Sequence, residues 1–329
     1  MDFSSYHQKI SKFGTDKFNK ENLETCLSWL KNEGLEIYKK EFLALSGLKK
    51  FPSRNETALI EQAIVKNLND YKKKIIDVNY YVSNALIFIE IAEWISESTL
   101  ECLKNFQPKE KDLVIYNYSH LIHYMLLDSV VLLNKYKVNI DNETDEKKLY
   151  GVGKVPWQHT MGYWQFIRQV IFGQSSFHSF IDRELDMSIG IIRMAVEIRL
   201  RRGFGILGKI KKEDMSIHPL AVETLIDCLK QHKNDIEMPI PIHILERIYG
   251  WANIFTHSGL KDYSWLPVKI WLYLREFLIG VKENGWNINN GIKISHDTLK
   301  SIQECIRSKI NSDIYDIWII EKPDAIVLE

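Results

Sequence analysis

Apolar side chains recur through this chain at the spacing of a helix far more often than at that of a strand. From Asn79 to Leu103, Ile87, Ile91, Trp94 and Ile95 fall on one face, which predicts a long buried helix. The same period runs through Asn22 to Lys31 (Leu23, Cys26, Leu27, Leu30), where Gly34 is the expected stop. It runs again through Glu56 to Ile75 (Leu59, Ile60, Ala63, Ile64, Leu68). Pro108 punctuates the chain ahead of another helical pattern, Asp112 to Tyr136. Trp157 to Phe172, Phe180 to Leu207 and His218 to Lys230 also read as helices, and Pro241 to Leu274 as two helices joined by a glycine-containing turn. The tail differs: Ile314 to Ile320 and Ala325 to Leu328 are rich in β-formers, the pattern of a small hairpin that needs packing support. The expected class is mostly α, a multi-helical bundle in two halves with a small β-hairpin at the C-terminus. Lys137 to Lys154, with the charged run DNETDEKK followed by Gly151 and Gly153, divides the halves. It places an N-terminal helical domain at 1–145 and a C-terminal helical domain at 146–329.

Charge narrows the partners. Lysine plus arginine and aspartate plus glutamate are both 43, so no global field draws the chain to nucleic acid or to a membrane. Any such affinity has to come from a local patch. Cys26, Cys102, Cys228 and Cys305 are far apart with no paired spacing, which argues against a zinc site or a disulfide framework and for a reducing compartment. The N-terminus lacks the apolar run of a signal peptide, and the longest apolar stretch, Tyr124 to Leu133, is too short to span a bilayer. A cytoplasmic protein without a membrane partner is expected.

Two polar stripes stand out. Glu246, Gly250, Asn253 and His257 lie at i, i+4, i+7 and i+11 on an otherwise apolar, aromatic helix. A histidine relays protons near neutrality and an asparagine orients a phosphate or hydroxyl. The plainer reading is a helix end where His257 suits the dipole and Gly259 is the stop. The second stripe is Asp186, Gly190, Arg193 and Glu197. Arg193, Arg199, Arg201 and Arg202, continued by Lys209, Lys211 and Lys212, form the densest basic cluster, suited to RNA or DNA phosphates and equally to a solvated helix end. Glu197, four residues before Arg201, fits ordinary helical ion pairing.

Other motifs carry less. GFGILG at Gly203 to Gly208 has the letters of a phosphate-binding glycine loop, but a helix precedes it where a strand is required, so its glycines read as helix terminators. His120 and His123, with Tyr116, Tyr124 and Asp128 nearby, supply too few ligands for a metal, and neither metal nor cofactor is expected. Trp157, His159, Tyr163 and Trp164 offer base stacking or plain packing. Ser175, Ser176 and His178 lack the strand-turn-helix setting of a hydrolase nucleophile.

The segment WANIFTHSG, with Asn253 four residues before His257 and a further helix from Trp265, resembles the HEPN superfamily (higher eukaryote and prokaryote nucleotide-binding) over about residues 175–280. The resemblance implies an α-helical, often dimeric domain of a kind that in many members cuts RNA without a metal. The family signature sets an arginine, often followed by asparagine, shortly before the histidine. Here Ala252 stands in the arginine's place, and the nearest upstream arginine is Arg247. On this resemblance His257 is the general acid or base and Asn253 orients the phosphate. Arg193 or Arg199 replaces the missing arginine from across the bundle, with Glu197 near the histidine, and Arg199, Arg201 and Arg202 bind the RNA. The chain would be a toxin or antiviral defence effector with its site at a homodimer interface. A non-catalytic helical module that binds a nucleotide or a protein stays open as the alternative.

Overall fold

The computed structural model describes residues 6, 10, 13, 20–105, 108–140, 185–258, 263–279, 281–283, 286–289, 292–320 and 323–328. Helices dominate, as the apolar period predicts, and the strands form only small sheets. The chain divides into two compact units, Met1–Ile189 with His257–Lys269, and Gly190–Thr256 with Ile270–Glu329. The linker from residue 141, the helix expected at 157–172 with its aromatic group, and Ser175, Ser176 and His178 lie outside the described residues.

In the first unit, α1 (Lys20–Trp29) passes through a π-helical turn, Leu30–Gly34, into α2 (Leu35–Ser46). Gly34 therefore does not stop the helix. A Cβ there would meet the Trp29 indole at 3.0 Å, so the glycine lets that ring pack against the backbone. The stop is Gly47, whose φ of 67° suits a residue without a side chain. The single helix expected over 56–75 is two, α3 (Glu56–Ala63) and α4 (Leu68–Lys74). Asn55 and Asn67 each accept a hydrogen bond from the N–H three residues on, Ala58 and Asp70, and so each starts a new helix. Lys74 Nζ then turns back to the carbonyls of Glu61, Gln62 and Ile64, satisfying the end of α3.

Two long helices follow, α5 (Val78–Asn105) and α6 (Pro108–Ile140), with Pro108 in the first turn, where its missing N–H costs nothing. Ile87, Ile91 and Ile95 are buried, whereas Trp94 is exposed. Tyr6, Trp29, Tyr38, Phe42 and Phe88 build the core, with Tyr38 edge-on to Phe88 at 4.7 Å. Each such ring stabilises by about 1.5–3 kcal/mol. The same burial pushes the Cys26 thiol up to about 12. Residues 263–269 belong to this unit. Trp265 is fully buried, stacks on Tyr263 at 4.7 Å and donates from Nε1 to Asn84 Oδ1 at 3.3 Å. Asp128 Oδ2 accepts from the Ser264 N–H at 2.9 Å, at a helix start where a carboxylate is favoured.

In the second unit α7 (Leu185–Gly203) ends earlier than expected. Gly205, at φ 68°, turns the chain into β1 (Ile206–Lys211). A helix precedes the glycine run and a strand follows it, the reverse of a dinucleotide loop. After β2 (Ile217–His218) come α8 (Val222–Gln231), β3 (Ile236–Glu237), α9 (Ile242–Ser258), α10 (Trp265–Tyr273) and α11 (Arg275–Ile279). The chain closes with β4 (Val281–Glu283), β5 (Trp286–Asn289), β6 (Lys293–Ser295), α12 (His296–Lys309), β7 (Tyr315–Ile319) and β8 (Ile326–Leu328). β4 and β5 form the small hairpin near the C-terminus. The two tail strands both form and join different sheets: β7 runs antiparallel to β1, and β8 runs parallel to β6.

The cysteine expectation needs correction. Cys228 of α8 and Cys305 of α12 form a disulfide across 77 residues of sequence. The apolar faces of the two helices (Leu225 and Leu229; Ile302 and Ile306) are buried and set the cysteines together, so no local spacing could announce the bond. Among the described residues, no helix is long and apolar enough to cross a membrane.

Candidate functional site

The site candidates sit where α9 and α7 stop being purely apolar. On α9, Ile244, Leu245, Ile248, Trp251, Ala252 and Phe255 face the interior. Ala252, the residue before Asn253, is fully buried. A guanidinium at that position would have to leave water for an apolar interior, at a cost of several kcal/mol.

A guanidinium arrives from α7 instead. Ile192, Val196 and Leu200 anchor that helix, and Arg193 projects beside them with its side chain 25% exposed. Its Nε donates to Asn253 Oδ1, and its Nη2 donates to Tyr249 Oη at 2.9 Å. The guanidinium also lies 5.0 Å from the centre of the Tyr249 ring, within reach of a cation–π attraction. Glu197 Oε2 is 4.0 Å from Arg193 Nη2. Burial first, then the Glu197 charge, raise the Tyr249 hydroxyl above its usual pKa and keep it protonated. Arg193 Nη1 has no partner among the described residues, so one edge of the fork is open.

Arg193, Glu197 and Asn253, chosen from sequence, therefore come together. Tyr249 was missed, although it stands four residues before Asn253 on the same helical face. The rest of the basic cluster is engaged inside the second unit. Arg201 donates to Glu197 Oε1 through Nε at 3.1 Å and Nη2 at 2.8 Å, and to the carbonyls of Leu207 and Leu220. Arg199 Nε donates to the Phe277 carbonyl at 2.8 Å, and its Nη1 lies 3.7 Å from Asp324. Arg202 pairs with the same carboxylate at 3.2 Å. Glu246, first in the α9 stripe, pairs with Lys230 of α8 at 2.8 Å.

His257 lies in the last turn of α9, one turn beyond Asn253. It is exposed, has no hydrogen-bond partner among the described residues, and falls in the first unit. The Asp186 side chain and Gly259 lie outside the described residues. His123 is half-buried beside Tyr124, with ring centres 5.9 Å apart, and Asp128 is committed to Ser264. Among the described residues, no group of three or more His, Cys, Asp or Glu is placed to hold a metal.

No family model, no curated protein and no solved structure matches the chain. Its chemistry has to be read from these side chains alone.

Proposed function

We propose that the chain is a HEPN-like helical protein that cuts RNA without a metal, acting as a toxin or antiviral defence effector. The observation that supports this most is the hydrogen bond from Arg193 to Asn253. It brings a guanidinium to the polar face of α9, where the HEPN signature would supply one from its own helix. In such a reaction the ribose 2′-oxygen attacks phosphorus, the 5′-oxygen leaves, and negative charge builds on the non-bridging oxygens. Arg193, through its open Nη1 edge, stabilises that charge. Asn253 holds the guanidinium through Oδ1 and offers its amide nitrogen to the phosphate. His257, exposed in the last turn of α9, serves as general acid or base. Two copies pair about a two-fold axis to complete the site.

The test is incubation of the purified protein with total RNA in chelator, comparing wild type with His257→Ala. Cleavage that falls by about 10²–10⁴-fold in the variant supports the proposal. RNA left equally intact by both removes it. The second reading, a non-catalytic helical module, draws on the internal engagement of Arg199, Arg201 and Arg202. Intact RNA together with saturable nucleotide or RNA binding, measured by fluorescence anisotropy, supports that reading.

A further inference from the structure

We propose that one end of the first unit is a docking surface for an anionic lipid bilayer. The surface starts at the end of α4. Lys74 is buried and held by three carbonyls, but Lys72 and Lys73 are exposed, and the turn that follows carries Ile76, 66% exposed. Tyr71, 44% exposed, stands beside them. The segment after α2 adds Lys49 and Lys50, both exposed.

Packing brings these pieces to the same end. Arg54 donates to Ser83 Oγ at 2.6 Å and to Asn79, at the start of α5. Phe51 stacks on Phe42 at 5.5 Å, Phe42 meets Tyr136 at 5.8 Å, and Tyr136 meets Tyr81 at 5.3 Å. Tyr81 in turn donates to the Ile75 carbonyl at 2.8 Å, inside the turn that carries Ile76. Lys49, Lys50, Lys72 and Lys73 have no ion-pair partner among the described residues. The nearest carboxylate in sequence, Asp70, lies 4.0 Å from Lys74 Nζ and accepts from the Lys66 N–H, and Asp77 accepts from the backbone and side-chain nitrogens of Asn79.

Any polyanion would suit four exposed ammonium groups with no ion-pair partner among the described residues. Ile76 decides between them. An aliphatic side chain at the tip of a turn gains nothing from a phosphodiester backbone or from carboxylates, but it gains burial at the acyl boundary of a bilayer. Tyr71, with an apolar body and a polar tip, suits the headgroup level, and the lysines suit phosphatidylserine. The local patch that the neutral chain requires for such affinity is therefore present, and it adheres to a bilayer without crossing it. The surface shares no residue with the Arg193 group and is independent of RNA cleavage.

The test is co-sedimentation of the full chain with vesicles of mixed phosphatidylserine and phosphatidylcholine, and with vesicles of phosphatidylcholine alone. The chain should sediment with the first and not the second, and raised salt should release it. Lys72→Gln with Lys73→Gln should weaken binding by about fivefold per lysine. Ile76→Ser should weaken it by about tenfold and leave its salt dependence unchanged. All three positions are exposed, and unchanged helix content by circular dichroism confirms folded variants. No sedimentation with anionic vesicles, equal sedimentation with neutral ones, or wild-type binding by the variants overturns the proposal. Loss of RNA affinity in these variants, with no vesicle binding by wild type, also overturns it and assigns the surface to nucleic acid.

Discussion

Lys269 and Arg193 are both cations held by side chains from other helices, and they differ in what is left over. The Lys269 side chain is 3% exposed and fixed between Glu56 at 2.8 Å and Glu90 at 2.6 Å. Arg193 keeps a quarter of its side chain in solvent, and its Nη1 has no partner among the described residues. The first is a clamp, and the second keeps contact with solvent beside its partners. Burial rather than charge separates the two roles. The same contrast divides Arg199, Arg201 and Arg202 of α7, engaged within their own unit, from Lys72 and Lys73 of α4, which are exposed and have no ion-pair partner among the described residues.

The largest expected effect concerns what holds each unit around these cations. The second unit carries a covalent link, and reducing Cys228–Cys305 releases a loop spanning 77 residues of sequence. The chain-entropy estimate for such a loop is about 4.5 kcal/mol. Hydrogen exchange with and without reductant should show α8 and α12 losing protection while α5 and α6 keep theirs. Equal protection in both states would mean that the bond contributes nothing to the second unit. A smaller loss is expected in the first unit. Lys269→Ala removes two charge-assisted hydrogen bonds and leaves two half-exposed carboxylates that water can partly satisfy, at a cost of about 2–3 kcal/mol. Urea denaturation followed by tryptophan fluorescence measures it, and a change under about 0.5 kcal/mol would deny Lys269 its role as a clamp.

Helix existence was legible in the sequence because burial follows the 3.6-residue period, as Ile87, Ile91 and Ile95 show. Boundaries were less so. Gly34 looks like a stop until Trp29 is seen packing on it, and the break after Ala63 depends on the Asn67 cap that a continuous apolar pattern conceals. β1 was read as the end of a helix because Ile206 and Leu207 fit either period. Sheet partners were not legible, since β7 and β8 pair with strands distant in sequence. At the site, the stripes on α7 and α9 hold Arg193, Glu197 and Asn253, of which Arg193 meets each of the other two. What spacing could not say is which cations find partners inside the fold: Arg199 meets a carbonyl 78 residues away, and Arg202 a carboxylate 122 residues away.

The central claim is that Arg193 does the work of the arginine that Ala252 displaces. Metal-free cleavage of RNA by Arg193→Lys, set beside wild type and Arg202→Ala, tests it most directly. Lysine keeps the charge but loses the fork that meets Asn253 and Tyr249 together. The account predicts a rate about 10²–10³-fold lower for Arg193→Lys and a near wild-type rate for Arg202→Ala. Wild-type cleavage by Arg193→Lys, or no metal-free cleavage by the wild-type chain, would contradict it.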